Sequence, residues 1–230
     1  MGGVLGMRVL ASLALAVLLA ACSSGTEEAP LQVQVFSNTR DLIRQRISPA
    51  ETGLPPVTRA QLDALDGPAL EVTLETRGAA AYLYVNAERD EGAAGQVTVW
   101  RTGDNSTLAL RNGVLVATRG LGGDILSSEI RVSGGQPGPS GGGAHVMLIR
   151  GGDEEARRLV LVCDLEDLGA ETVEIVERRY PTRHLRQSCS GSGGEVVNDY
   201  WVEERAGVVR QSRQWAGPHL GYLRLRQLAP

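Results

Sequence analysis

The chain has 230 residues, 42% of them hydrophobic and only 4% aromatic, with a formal net charge of −4. That length holds one large or two small domains. The mildly acidic balance excludes non-specific nucleic-acid binding, and because every one of the 23 basic residues is arginine, the surface is suited to bidentate contacts with carboxylate or phosphate.

Met7-Arg8, the apolar run Val9 to Ala21 and then Cys22 read as an export signal. The run is 13 residues, short of the roughly 20 needed to span a bilayer. It closes on Leu19-Ala20-Ala21-Cys22, the bacterial lipobox pattern: small alanines fit a tight peptidase cleft, and only cysteine offers a thiol for diacylglycerol. The competing reading is an ordinary signal with a cysteine near its end. Residues 1–21 are expected to form a helical signal peptide, starting at Met1 or Met7, with Cys22 as the lipid-attachment residue. Acylation there exceeds the two signals that stable anchoring needs. Ser23, in place of Asp, points to the outer membrane, periplasmic face. Without residues 1–21, which carry one charge, 22 arginines face 27 carboxylates, net −5.

Residues 22–31 are short and polar, a lipidated tether, and 32–230 read as a single β-rich domain. Ser37-Asn38-Thr39 ahead of Asp41-Leu42-Ile43 and Ile47 predicts a short helix stopped by Pro49. Thr58-Arg59-Ala60-Gln61 is a capping box opening a second. From Ala69 the period becomes two. Strands are predicted at Leu70–Leu74, Tyr82–Val85, Val97–Trp100, Leu108–Leu110, Val114–Val116 and Ile125–Val132, with Asn112-Gly113 as a hairpin turn. Residues 134–143 form a glycine-rich loop. Further strands are expected at Val146–Ile149, Leu159–Val162, Val173–Val176, Val196–Glu203, Gly207–Trp215 and Leu220–Leu228. Many short strands with glycine turns mean an all-β fold, mainly an antiparallel sandwich or barrel, with one or two short N-terminal helices.

Cys163 and Cys189 form an even pair once Cys22 is lipidated. In an oxidising compartment they read as a disulfide, the alternative being two separate buried thiols. Catalytic and metal chemistry find little support. Gly138-Pro139-Ser140-Gly141-Gly142 has the letters of a nucleophile elbow but glycine loop on both sides, where that motif needs a strand and a helix. Gly120-Leu121-Gly122-Gly123-Asp124 is a tight turn without a basic residue behind it. His145, His184 and His219 show no metal-ligand spacing. Asp153-Glu154-Glu155 and Glu203-Glu204 read as solvated loop charge rather than a glycosidase pair. Half of the eight Trp and Tyr residues fall between Asn198 and Tyr222, among several arginines. Aromatic faces stack on sugar rings and guanidinium groups bond hydroxyls and acids, so Trp201, Arg213, Trp215 and Tyr222 form a candidate glycan- or partner-facing patch. Core packing is the competing reading for these aromatics.

The lipobox ending in Cys22, Trp100-Arg101, the run Arg111 to Gly122, the Cys163 and Cys189 pair, and Asn198-Asp199-Tyr200-Trp201-Val202 through Ser212-Arg213-Gln214-Trp215 together resemble the YjbF/GfcB family of bacterial lipoproteins, tied to exopolysaccharide and group 4 capsule production. The resemblance implies a predominantly antiparallel β fold and supplies no catalytic residues and no cofactor. It implies a non-enzymatic, outer-membrane-anchored lipoprotein that assists polysaccharide secretion. Its partners would be the membrane through the N-terminal lipid, secretion proteins including an outer-membrane β-barrel, and the polysaccharide itself as a candidate. The alternative is a structural envelope lipoprotein that scaffolds partner proteins without touching glycan.

Overall fold

The computed structural model describes residues 54–150 and 155–229. The signal segment, Cys22, the tether, the first expected helix, Asp153 and Glu154 lie outside the described residues. The second expected helix is α1 (Arg59–Asp63), with both bonds of the capping box between Thr58 and Gln61 formed.

The rest is one twelve-stranded antiparallel sheet: β1 (Ala69–Leu74), β2 (Ala79–Asp90), β3 (Gln96–Arg101), β4 (Thr107–Arg111), β5 (Val114–Arg119), β6 (Ile125–Glu129), β7 (Gly143–Arg150), β8 (Ala156–Ile175), β9 (Arg178–Gly191), β10 (Gly194–Glu203), β11 (Val208–Trp215) and β12 (Tyr222–Ala229). The order is β5-β4-β3-β2-β1-β12-β11-β10-β9-β8-β7-β6. Each neighbour follows in sequence except β1 beside β12, so two hairpin meanders meet where the first strand of one pairs with the last of the other. Leu159–Val162 and Val173–Val176, expected as separate strands, belong to one 20-residue strand, β8, interrupted only by a register shift near Gly169. Strand β9 was not expected at all. It is rich in arginine and contains Pro181, which falls in the stretch of β9 that pairs with β8 alone, where a missing N–H costs no ladder bond to β10.

The two ends of the order, β5 and β6, lie side by side, and side chains close the seam. Arg119 Nη1 and Nη2 donate to the carbonyls of Ile125 and Leu126 at 2.8 and 3.1 Å. The buried Thr118 hydroxyl donates to Asp124 Oδ1 and accepts from Ile125 N–H, while the Asp124 carboxylate also takes the amides of Gly120 and Leu121. The result is a nearly closed barrel in which edge groups that would otherwise template aggregation are occupied.

Alternation decides what fills it. Leu70 and Leu74 of β1, Leu83, Trp100, Leu108, Leu110, Leu223 and Leu225 point inward with Ile125, Met147 and Ile149 as one core. Each such side chain contributes roughly 1.5–3 kcal/mol on burial. A second cluster sits outside the barrel wall. The distal part of the β8–β9 hairpin brings Val173, Ile175 and Tyr180 against Leu62 of α1 and Leu228 of β12, and Arg59 pins it by donating to the carbonyls of Ile175, Val176 and Leu228.

The Asn112-Gly113 turn forms as expected, with φ of 48° and 83°. Glycine is required at 113 twice over: a Cβ there would lie 2.4 Å from Val209 Cγ2.

Cys163 and Cys189 are direct cross-strand partners on β8 and β9 and are bonded as a disulfide. A ring nitrogen of His145 and both sulfurs lie within 4.8 Å of one another, the one such grouping of potential metal donors among the described residues. With the sulfurs joined to each other, it offers no thiolate. The His145 Nε2 bonds the Ser128 hydroxyl at 2.7 Å and Nδ1 has no partner. Burial pushes the imidazole down from 6.5 to about 4. The unfolded chain then binds more protons than the folded one between those values, so stability that is complete above pH 6.5 is lost as pH falls toward 4. Denaturant unfolding at pH 8 and pH 5 is expected to show a loss of about 2 kcal/mol attributable to this group. A His145→Gln variant should lose less on acidification; an equal loss in both proteins would show that His145 is not responsible.

Candidate functional site

A cavity of about 500 Å³ opens at one end of the barrel. Its geometry follows from the strand period. On β3, Gln96, Thr98 and Trp100 occupy alternate positions and share a face; on β2, Glu88 lies opposite Thr98 and Asp90 opposite Gln96. Leu110 of β4 is the register partner of Thr98. Gln227 and Leu225 of β12 line the same space, with Leu70 of β1 and Ser212 of β11. The interior face is apolar in mid-barrel and turns polar toward this mouth. The floor is buried Leu70, Trp100, Leu110 and Leu225, and the wall carries amides, hydroxyls and the exposed carboxylates of Glu88 and Asp90.

The glycine-rich loop, residues 130–142, forms one rim. Asn112 holds it in place. Its Nδ2 donates to the carbonyls of Ser133 and Gln136 at 2.8 Å each, its Oδ1 accepts from Gln96 N–H, and its own carbonyl accepts from Gly138 N–H at 2.7 Å. One residue therefore ties the β4–β5 turn, the start of β3 and the loop together at the mouth. Beyond the loop lies a second hollow of about 430 Å³, where Arg183 bridges Asp167 and Glu204.

The residues singled out in the C-terminal block have different surroundings. Trp201, Arg213 and Tyr222 are on the outer face, while Trp215, at the end of β11, packs against the barrel core and the disulfide cluster. Arg213 grips the Glu75 carboxylate with Nε and Nη2 and lies over the Tyr222 ring, 3.5 Å from its centroid. Together with Arg224, it holds Glu75 below the usual carboxylate range. Tyr222 is the register partner of Trp215, and its hydroxyl accepts from Val197 N–H. Trp201 is set apart: it stacks on His184, centroids 4.5 Å apart, and packs against the outer cluster of Tyr180 and Leu228. His184 is clamped between Asp199 at 2.8 Å and Glu171 at 3.0 Å. The structure thus brings Arg213, Trp215 and Tyr222 together, places Trp201 on a neighbouring stretch of the same face, and commits much of this polar surface to internal partners.

The intervening residues of that block face inward. Gln214 uses all four hydrogen-bonding positions of its amide. Oε1 accepts from Leu115 N–H at 2.8 Å and from Tyr200 Oη at 3.3 Å; Nε2 donates to Gly113 O and Ser212 Oγ at 2.9 Å each. Asn198 does the same kind of work, accepting from Trp215 N–H and donating to Gln187. Of the three histidines, His145 is interior, His184 is clamped and His219 lies exposed in the β11–β12 turn. Residues 138–142 lie in loop, with no helix after Ser140.

None of the cavity-lining residues was singled out from the sequence as a binding residue, although Trp100, Asn112, Gly113 and Ser212 stood out there for other reasons. A signal was present. Gln96, Thr98 and Trp100 keep strand alternation while the inward position changes from aromatic to polar, as happens where a barrel interior opens to water.

Residues 50–228 match the family model described as group 4 capsule polysaccharide lipoprotein gfcB, YjbF. In fold the chain is similar to the crystal structure of the hypothetical lipoprotein YmcC from Escherichia coli (K12), with a TM-score of 0.64 and 19% identity over 84% of this chain and 94% of that one. No curated protein matches the chain in sequence.

Proposed function

Since the chain belongs to the group 4 capsule polysaccharide lipoprotein family, we propose that it is anchored through Cys22 to the outer membrane, on the periplasmic face, and assists polysaccharide secretion by holding glycan at the barrel mouth without catalysing a reaction on it. The mouth cavity carries this reading. It is concave and about 500 Å³ in volume, the size of a few sugar rings, with an apolar floor and convergent amides and hydroxyls. Its lining contains no His or Cys to pair with Ser212 as base or nucleophile.

The experiment is genetic. Deleting the gene is expected to reduce secreted polysaccharide to background. Wild-type complementation should restore it, and Cys22→Ala should not, because the body is no longer held beside its export partners. Normal secretion from the deletion strain would overturn the proposal.

Scaffolding of partner proteins without glycan contact is the second reading. It is favoured by Val160 and Val162, which stand 42% and 63% exposed on the outer face of β8. Loss of secretion in Val162→Glu, with glycan binding intact, would favour it.

A further inference from the structure

We infer that the mouth cavity selects neutral or amino-bearing sugars and rejects sugars carrying carboxylate or phosphate. The inference rests on the reading of the cavity as a glycan site and names the class of glycan it takes.

The argument is the distribution of charge. The chain is rich in arginine, yet among the described residues no arginine lines the cavity, and the charged groups that do are Glu88 and Asp90. The arginines on the adjoining strands are committed elsewhere: Arg111 bonds Glu91 at 2.7 Å, and Arg89 lies 3.6 Å from the same carboxylate. On β11 and β12 the guanidinium groups of Arg213, Arg224 and Arg226 sit on the outer face, paired with Glu75 and Glu71. Strand alternation therefore places acid inside the mouth and base outside the wall.

Among the described residues, neither Glu88 nor Asp90 is paired with a cation. Glu88 accepts a 3.4 Å bond from the Thr98 hydroxyl, and Asp90 takes the Gly92 amide. A ligand carboxylate entering beside them meets like charge, with no guanidinium in the described lining to offset it. An ammonium group meets the reverse. A neutral sugar needs only what is present: an apolar face under the ring and the amides of Gln96, Gln136 and Gln227 for its hydroxyls.

The test is isothermal titration of the full chain in detergent against three hexasaccharides: a neutral glucose oligomer, a glucosamine oligomer and a galacturonate oligomer. The glucose and glucosamine oligomers are expected to bind at least about 10-fold tighter than galacturonate. Glu88→Gln/Asp90→Asn, two changes at exposed positions, should shrink the preference for glucosamine over galacturonate by at least about 10-fold. Galacturonate binding equal to or tighter than glucose, or a double variant with an unchanged preference, overturns the selectivity while leaving the cavity a glycan site. Absence of binding to all three oligomers overturns the glycan reading and the selectivity with it.

Discussion

Gln214→Leu is expected to lower the thermal unfolding midpoint by about 10 °C, although leucine has nearly the same volume and is more hydrophobic. The amide spans the barrel interior from β11 to the first residues of β5, where it stands in for a peptide group and bonds the N–H of Leu115 and the C=O of Gly113. Removing it strands those two backbone groups and the hydroxyls of Tyr200 and Ser212 in a buried site. An unsatisfied buried polar group costs about 1–3 kcal/mol. Even with partial relaxation, a total of about 3–5 kcal/mol follows, and each kcal/mol moves the midpoint of a domain of this size by about 2–4 °C. Hydrogen exchange localises the effect. The Leu115 amide should be protected in the parent protein and exchange rapidly in the variant. A variant as stable as the parent, with Leu115 still protected, would show that the bridge is dispensable.

Removal of the disulfide has an effect of similar size by a different route. Cys163 and Cys189 are separated by 26 residues, and in the chain-entropy account closing a loop of that length stabilises by about 3–4 kcal/mol through the unfolded state. Cys163→Ser/Cys189→Ser should therefore lower the midpoint by about 10 °C, and the parent unfolded in dithiothreitol should fall with it. The native protein, alkylated under denaturing conditions, should show no free thiol at either position. Two titratable thiols, or a midpoint indifferent to reductant, would return the pair to the alternative of separate buried cysteines.

The fold was legible wherever a strand has one wet face and one dry one. Leu70–Leu74, Val97–Trp100 and Leu223–Leu225 alternate plainly, and Asn112-Gly113 announces its turn. Legibility failed where the inward residues are themselves polar. Strand β9 buries Thr182 and Gln187, exposes Arg178 and Arg179, and contains a proline, so no apolar alternation marks it. Strand β8 was divided because Asp164 to Glu171 crosses from the barrel to the outer cluster, where the buried side chains belong to a different core.

The same physics governs the site. The C-terminal block drew notice for its aromatics and arginines, and of these Trp201, Arg213 and Tyr222 face outward while Tyr200 is buried inside. Its inward members, Ser212 and Gln214, look unremarkable in sequence and hold the wall of the barrel together. The cavity lining comes from strands β1, β2, β3, β4, β11 and β12, from four connections between strands and from Pro68 ahead of β1, brought together by the β1–β12 pairing. A pairing between residues about 150 positions apart leaves no local mark on either strand.

The central claim is that glycan lies at the barrel mouth. A photo-crosslinking amino acid placed at Gln136, on the rim, or at Val162, on the outer face of β8, tests it in cells actively producing the polysaccharide. The account predicts a ladder of slow-migrating, carbohydrate-positive adducts from position 136 and none from position 162. Adducts from 162 alone, or from both positions equally, would contradict it.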